Sequence, residues 1–167
     1  LELAAAGAKV LHLRCVEYAR RYNLPIHVRS SFSPNEGTWV VENHPEGGNM
    51  EQAIISGIAH DKSEAKITIV GVPDRTGVAA RIFQAIADAD INIDMIVQNV
   101  SAAATGLTDI SFTLPKAEGA NASKILKAIQ GEVGFASIQY DDQIGKLSLV
   151  GAGMRSHPGV TATFFAA

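Results

Sequence analysis

The chain contains an internal repeat in which a short apolar strand is followed by a loop and a helix. Lys66–Gly71 (KITIVG) recurs with conservative substitutions as Lys146–Gly151 (KLSLVG). After the loop, residues 77–85 match residues 159–167 at five of nine positions. Such self-similarity indicates two modules of one kind. The second module, from residue 146 to residue 167, is too short to close a sheet, so we expect it to be truncated.

Between the two copies, hydrophobic periodicity predicts one complete module. Alternating apolar residues predict strands over 66–70, 93–100, 108–114 and 135–140, and helical spacing predicts helices over 77–89 and 122–130. The resulting order, β-α-β-β-α-β, is the split βαβ arrangement of ferredoxin-like folds. The sequence therefore predicts an α+β domain in which two helices cover one face of a four-stranded antiparallel sheet.

The beginning of the chain is predicted to be a different kind of segment. Helical spacing, interrupted by Gly7, predicts an amphipathic helix up to Tyr22, and two short strands follow at 26–29 and 38–41. These elements are too few to fold alone, and both ends of the chain look cut.

These patterns predict a division of the chain into four parts. The Gly- and Pro-rich stretch 42–52 reads as a linker. We expect residues 1–41 to end one domain, 53–140 to form the first module and 141–167 to start the second. A further strand, 53–60, belongs by sequence to the first module but is open to pairing with the second.

Composition excludes several functions. The formal net charge of −3 gives no basic surface for nucleic acid, and no run of about 18 apolar residues predicts a membrane span. Cys15 is the only cysteine, which fits a reducing compartment and excludes an internal disulfide. Phe112 is the only aromatic residue of the central strands, whereas an RNA-binding sheet of this kind needs an aromatic pair. We expect a cytoplasmic protein with neither nucleic acid nor membrane as a partner.

The loop 71–77 is the candidate ligand site. It joins the carboxyl end of a predicted strand to a helix N-terminus, where unpaired N–H groups and the helix dipole favour an anion such as a carboxylate. Gly77 would let a ligand approach the backbone, and Asp74 would accept hydrogen bonds from an ammonium group. An α-amino acid carries both groups. The spacing also fits, and by itself favours, a structural role in which Asp74 or Thr76 caps the helix and Gly77 serves the turn.

Other polar positions leave their roles open. Asn92, Asp94, Gln98 and Asn99 flank an otherwise apolar strand, either as a ligand rim, as a subunit interface or as ordinary solvated strand ends. The chain shows no nucleophile with an adjacent base, no phosphate-binding Gly-rich motif and no metal-ligand spacing. No catalytic residue and no metal site is therefore predicted in this chain.

Several stretches resemble one known family. Residues 1–12, 14–19 and 25–32 closely resemble the end of the amino-acid kinase domain of aspartate kinases. Residues 57–59, 61–66, 91–100 and 140–142 resemble the tandem ACT region of the lysine- and threonine-sensitive actinobacterial enzymes. The resemblance covers essentially the whole chain. It implies a ferredoxin-like ACT domain, a truncated second ACT domain and a remnant of an α/β amino-acid kinase domain.

The resemblance implies an activity for the parent protein. Such an enzyme is an aspartokinase, a transferase that phosphorylates the β-carboxylate of aspartate with ATP and Mg²⁺. This is the first step toward lysine, threonine and methionine. The fragment alone would be inactive, would bind neither cofactor and would serve mainly in allosteric regulation.

The resemblance also implies residue roles. It assigns an ATP contact to Lys9, and it assigns contacts with threonine or lysine as feedback effectors to positions in both ACT modules. These effector positions are Asp74, Arg75, Thr76, Gly77, Val78, Ala79, Asn92, Ile93, Asp94, Gln98, Val160 and Thr161. Family pockets are completed by later parts of the second module, often from another ACT-bearing chain. The sequence departs from many relatives at Leu13 and Thr76, where they have proline.

An alternative function is a regulatory subunit, or a stand-alone amino-acid sensor, without catalysis. Met50 falls near the position where a separate regulatory subunit begins in such families. The segment before Met50 argues against this alternative.

Overall fold

The computed structural model describes residues 1–8, 10–41, 54–100, 105–152 and 159–167. The chain forms two compact units, one made of Leu1–Asp61 with Leu147–Ala167 and the other of Lys62–Lys146. The predicted linker 42–52 lies outside the described residues, as does Lys9. The predicted four-part division of the chain stays a prediction.

The described helices and strands alternate irregularly along the chain. In chain order they are α1 (Glu2–Ala5), α2 (Leu13–Arg21), β1 (Ile26–Val28), β2 (Thr38–Val40), β3 (Ile54–Asp61), β4 (Glu64–Pro73), α3 (Val78–Ala87), β5 (Ile96–Val100), β6 (Leu107–Pro115), α4 (Gly119–Val133), β7 (Ser137–Asp141), β8 (Lys146–Ala152) and α5 (Val160–Ala166). A 3₁₀ turn over Lys116–Glu118 leads into α4.

The first 22 residues of the first unit contain two helices, α1 and α2, where the sequence predicted one. Gly7 has a positive φ of 106°, which an α-helix does not accept, so the chain turns there and α2 begins only at Leu13. Helix α2 buries Val16 and Ala19. Strands β1 and β2 form an antiparallel pair, and β3 pairs with β8 in a second two-stranded sheet.

The second unit confirms the predicted ferredoxin-like fold. Its four strands lie in the order β5-β6-β4-β7, and every neighbouring pair is antiparallel. The elements differ from the prediction mainly at their ends. Strand β4 continues through the predicted loop start to Pro73, with a bulge between Ile69 and Val72, and β5 begins at Ile96, three residues later than predicted.

A glycine makes the bulge in β4 possible. Gly71 has φ 67°, which glycine adopts without steric cost, and its N–H donates to Oδ1 of Asp109 on β6 over 2.8 Å. The bulge lets β4 resume pairing at Val72 and Pro73, so the strand reaches the loop that precedes α3.

The core of the second unit lies between the sheet and its two helices. Alternate residues of β4 and β6 point inward, and α3 and α4 supply the facing apolar side chains. The central members are Ile67, Ile69, Ile82, Ile86, Ile110, Phe112, Leu114 and Leu126, all fully buried. Phe83 adds an edge-to-face contact with Phe112, with ring centroids 5.7 Å apart. This packed layer fixes where α3 starts relative to the end of β4.

Candidate functional site

The start of α3 forms an exposed strand-to-helix junction. Asp74 follows β4 directly, and its N–H donates to the carbonyl of Gly106 over 2.9 Å, which ties the loop to the chain just before β6. The N–H of Arg75 donates to Pro73 and that of Val78 donates to Arg75, so the loop is a sequence of tight turns. Asp74, Arg75, Thr76 and Gly77 are all exposed, and Val78 and Ala79 are half-buried.

No side chain caps this helix. Gly77 occupies the N-cap position with φ 90°, and the structure contains no side-chain cap hydrogen bond there. The interpretation of Asp74 or Thr76 as a cap is therefore wrong. The first intrahelical bond runs from Arg81 to Gly77, so the N–H groups of Ala79 and Ala80 lack an intrahelical acceptor.

The space around Gly77 is open. A Cβ placed on this glycine would meet nothing within 4 Å. An anion therefore has access to the free N–H groups and to the positive end of the helix dipole, while the exposed carboxylate of Asp74 offers a nearby acceptor for a cation. The junction has the chemical groups needed to hold the two charged ends of an α-amino acid.

The predicted residues of the β5 segment lie at the other end of the sheet. Asp94 N–H donates to the carbonyl of Thr113, and Thr113 N–H donates to Met95, so this segment faces the carboxyl end of β6. Strand β4 begins at that end with Glu64, which pairs with Pro115. Since β4 runs ten residues to Pro73, at about 3.3 Å per residue Asp94 and Asp74 are separated by about 30 Å along the sheet.

The structure therefore divides the predicted effector residues of this unit into two groups. The junction group contains Asp74, Arg75, Thr76, Gly77, Val78 and Ala79, and the strand group contains Asn92, Ile93 and Asp94. Gln98 lies between the groups in β5, paired with Ile110. One copy of the unit does not bring the two groups into a single pocket.

An ion cluster that sequence reasoning missed surrounds Asp94. Nζ of Lys146 lies 2.6 Å from Oδ2 of Asp94 and 2.6 Å from Oε1 of Glu64. Partial burial lowers the pKa of Lys146, but its hydrogen bonds to Asp94 and Glu64 and their negative charges outweigh that effect and raise the pKa above its ordinary value. The repeat aligned Lys146 with Lys66, but nothing local indicated that Lys146 would meet Glu64, 82 residues away.

The remaining predicted residues lie in the first unit or outside the described residues. Val160 and Thr161 begin α5 behind Gly159, whose φ of 105° repeats the conformation of Gly77. Val160 is half-buried and Thr161 is exposed. Lys9 lies outside the described residues, so its predicted ATP contact stays a prediction.

Metal-binding clusters and membrane-spanning helices are both missing from the described residues. No group of three or more His, Cys, Asp or Glu side chains in the described part of the chain is placed to hold a metal ion. None of the helices described is both long enough and apolar enough to cross a membrane.

Comparison with known proteins agrees with the fold of the second unit. The sequence profile of the ACT domain matches residues 67–129. The aspartokinase of Mycolicibacterium smegmatis is 60% identical over 164 residues, which are 98% of this chain and 39% of that protein. The chain thus spans well under half the length of this relative.

Solved structures give the same result. The crystal structure of aspartokinase alpha and beta subunits is 48% identical, with a TM-score of 0.61, and the match covers 68% of this chain and 72% of that chain. The regulatory subunit of aspartate kinase from Thermus flavus is 35% identical, with a TM-score of 0.63, over 69% of this chain and 74% of that chain.

The ferredoxin-like sheet, the uncapped junction at α3 and the matched profile define an ACT-domain protein. The family can be defined more closely, because this chain is 48% identical to the aspartokinase structure and covers 72% of that chain. The chain belongs to the aspartokinase family and corresponds to its ACT regulatory part.

Proposed function

We propose that this chain is the amino-acid-sensing part of a cytoplasmic aspartate kinase, with threonine, lysine or both as feedback effectors. The parent enzyme would transfer a phosphoryl group from ATP to the β-carboxylate of aspartate. The 60% identity to an aspartokinase over 98% of the chain supports this activity. A stand-alone sensor is not favoured, because the similarity to aspartokinases extends through the segment before Met50.

The observation that carries the sensing function is the uncapped start of α3. Free N–H groups behind Gly77 would bind the effector carboxylate, and Asp74 would bind its ammonium group. Binding would favour one of two arrangements of the regulatory and catalytic parts, and inhibition would follow from the difference in affinity for them.

The division of the effector residues into two groups supports a site shared between two ACT modules. Strand β5 is an edge of the described sheet. Met95, which precedes this strand, and Ile96 and Val97 within it are exposed at 54%, 49% and 42%. Antiparallel pairing of β5 with the same edge of another module would place the start of one strand beside the end of the other. Asn92, Ile93 and Asp94 of one copy would then approach the junction group of its partner.

The nucleotide and Mg²⁺ would belong to the catalytic domain. Lys9 is the position of this chain that the family resemblance connects with ATP, and a lysine ammonium suits a phosphate contact. Phosphoryl transfer itself would use residues outside this chain, so the described residues would contribute regulation and not chemistry.

The test is feedback inhibition of the full-length enzyme that contains this chain. Asp74→Asn removes the charge that would bind the effector ammonium. We expect a rise of at least about tenfold in the threonine or lysine concentration for half-inhibition, with the uninhibited rate unchanged. Aspartate-dependent ADP formation, titrated with each amino acid, measures both quantities.

Asp88→Asn is the matched control, because Asp88 is an exposed carboxylate at the opposite end of the same helix. This substitution should leave the effector concentration for half-inhibition unchanged. Equal inhibition of the Asp74→Asn enzyme and the parent enzyme would contradict the assignment of the junction. Absence of aspartate-dependent ADP formation by the parent would contradict the proposed activity.

A further inference from the structure

The ion cluster of Glu64, Asp94 and Lys146 contains one more negative charge than positive charge. Its carboxylates come from two sides of β6, since Glu64 begins β4 and Asp94 precedes β5. The Lys146 ammonium reaches both at 2.6 Å and therefore bridges across β6. Partial burial strengthens these contacts compared with a fully exposed pair.

The two carboxylates of the cluster differ in burial. The Glu64 side chain is only 14% exposed, and its Oε2 is buried with no hydrogen-bond partner among the described residues. Loss of Lys146 would therefore leave an unpaired, largely buried carboxylate, which is costly. The Asp94 side chain is 63% exposed and can exchange its partner for one from solvent. Lys146 is thus anchored by Glu64 and shared with Asp94.

The backbone around Asp94 is fixed while its carboxylate remains exposed. Hydrogen bonds of 2.9 Å and 3.1 Å join Asp94 and Met95 to Thr113 on β6. A change of partner at the Asp94 carboxylate therefore needs only side-chain movement. In the shared site proposed above, Asp94 of one module would approach the junction group of its partner, so its carboxylate would face the effector ammonium together with Asp74.

From these contacts we propose that Lys146 is a built-in competitor for the effector ammonium at Asp94, an inference that rests on the proposed function. An ammonium group of threonine or lysine that approaches Asp94 meets a carboxylate already paired with an identical cation. It must displace Lys146 or bind beside it, and repulsion between two ammonium groups at one carboxylate opposes binding. Displaced, Lys146 stays paired with Glu64, and each carboxylate then has one cation.

Lys146 lies at the start of β8, so a change in its ion pairs would act on the residue where that strand begins. Lys146 is the last residue of the second unit and the first residue of β8, and Glu64 lies close to the point where the chain enters that unit. The Asx turn in which Gln143 N–H donates to Asp141 over 2.9 Å leads from β7 to this lysine. Occupation of Asp94 by an effector would therefore change the forces on the residue where β8 begins.

Two substitutions with opposite expected effects test the inference by calorimetric titration of threonine and lysine into the full-length enzyme. Lys146→Met removes the competitor, so we expect effector affinity to rise about fivefold or more. Glu64→Gln removes the other carboxylate that pairs with Lys146, so Lys146 pairs more strongly with Asp94. We expect effector affinity to fall by a similar factor. The double variant Glu64→Gln/Lys146→Met avoids an unpaired buried carboxylate and should keep the increased effector affinity of Lys146→Met.

If the ion cluster served only to hold the local structure, both single substitutions would change effector affinity in the same direction. Lys127→Met is the matched control, because it makes the same charge change on the exposed side of α4 and should leave affinity unaltered. Lower affinity in Lys146→Met and in the double variant, or equal affinity in all variants, would overturn the competition.

The same titration separates this inference from the proposed function. If the parent enzyme binds an effector and Asp74→Asn weakens that binding, but the Lys146 and Glu64 variants bind like the parent, only the inference about Lys146 fails. If the parent enzyme binds neither amino acid, the proposed sensing function fails and the inference fails with it.

Discussion

Two glycines show how the same residue has opposite roles at different backbone positions. Gly77 starts α3 with φ 90°, in the left-handed region, whereas Gly131 lies inside α4. A Cβ at either position would meet nothing within 4 Å, so steric clash with neighbours does not distinguish them. The difference between them is purely conformational, which makes them a matched pair.

We expect opposite changes in the free energy of unfolding when each glycine becomes alanine. Gly77→Ala forces a Cβ into the left-handed region and should lower stability by about 1–2 kcal/mol. Gly131→Ala restricts the unfolded chain and suits a helix interior, so it should raise stability by about 0.5–1 kcal/mol. Urea denaturation of the chain measures both changes. A stabilising Gly77→Ala would show that the left-handed start of α3 is not retained in solution.

At the scale of elements, α3 and α4 are held together by two interactions of unequal strength. Their inner faces bury Ile82, Ile86 and Leu126 against the sheet. On the outside, Arg81 makes a bidentate ion pair with Glu132, at 2.6 Å and 3.0 Å. Both of these side chains are about half exposed, so solvent and salt screen their attraction. Apolar burial therefore dominates the association of the two helices.

Leu126→Ala and Glu132→Gln should separate these two contributions. The first leaves a cavity and should lower the free energy of unfolding by about 2–5 kcal/mol at any pH. The second should have a much smaller effect that depends on pH. The hydrogen bond from Arg81 lowers the pKa of Glu132, so the stability from the pair is present above the ordinary carboxyl pKa and is lost as the pH falls through the lowered value.

Urea midpoints of the parent chain and both variants, measured from pH 3 to pH 7 at low and high salt, test this comparison. The difference between Glu132→Gln and the parent should shrink toward pH 3 and at high salt. A Glu132→Gln loss as large as that of Leu126→Ala would contradict the dominance of burial.

At the scale of the whole molecule, the edge strand β5 is the surface through which we propose that the protein assembles. An exposed apolar edge offers unpaired backbone groups to another strand. The junction at α3 and the segment around Asp94 lie at opposite ends of the same sheet, and an antiparallel partner at β5 would bring them together. The proposed sensing function and the proposed assembly therefore depend on one surface.

Val97→Lys should weaken assembly of the full-length protein. A lysine within β5 would have to lose its hydration in a paired edge, and we expect dissociation to increase about tenfold. Gln139→Lys places the same charge on β7, the other edge of the described sheet, and should leave assembly unchanged. Sedimentation velocity across a concentration series measures the distribution of species. Unchanged assembly of Val97→Lys would exclude β5 as the interface.

The sequence by itself determined the order of elements in the second unit and the faces that they bury. The periodicity around Ile67 and Ile69 or Ile82 and Ile86 is a local property, and local spacing decides whether a segment forms a strand or a helix. The same reasoning found the strand-to-helix junction at Gly77. The ends of β4 and β5 were less well predicted, because the bulge at Gly71 and the pairing with β6 decide them.

Only the tertiary structure decided which distant residues meet. The antiparallel register of β5 and β6 placed Asp94 at the far end of the sheet from Asp74, and the start of β8 brought Lys146 to Glu64. It also showed that Asp74 leaves α3 uncapped. Strand register and ion pairing across 82 residues depend on how the chain packs as a whole, and a single sequence does not encode them in any local pattern.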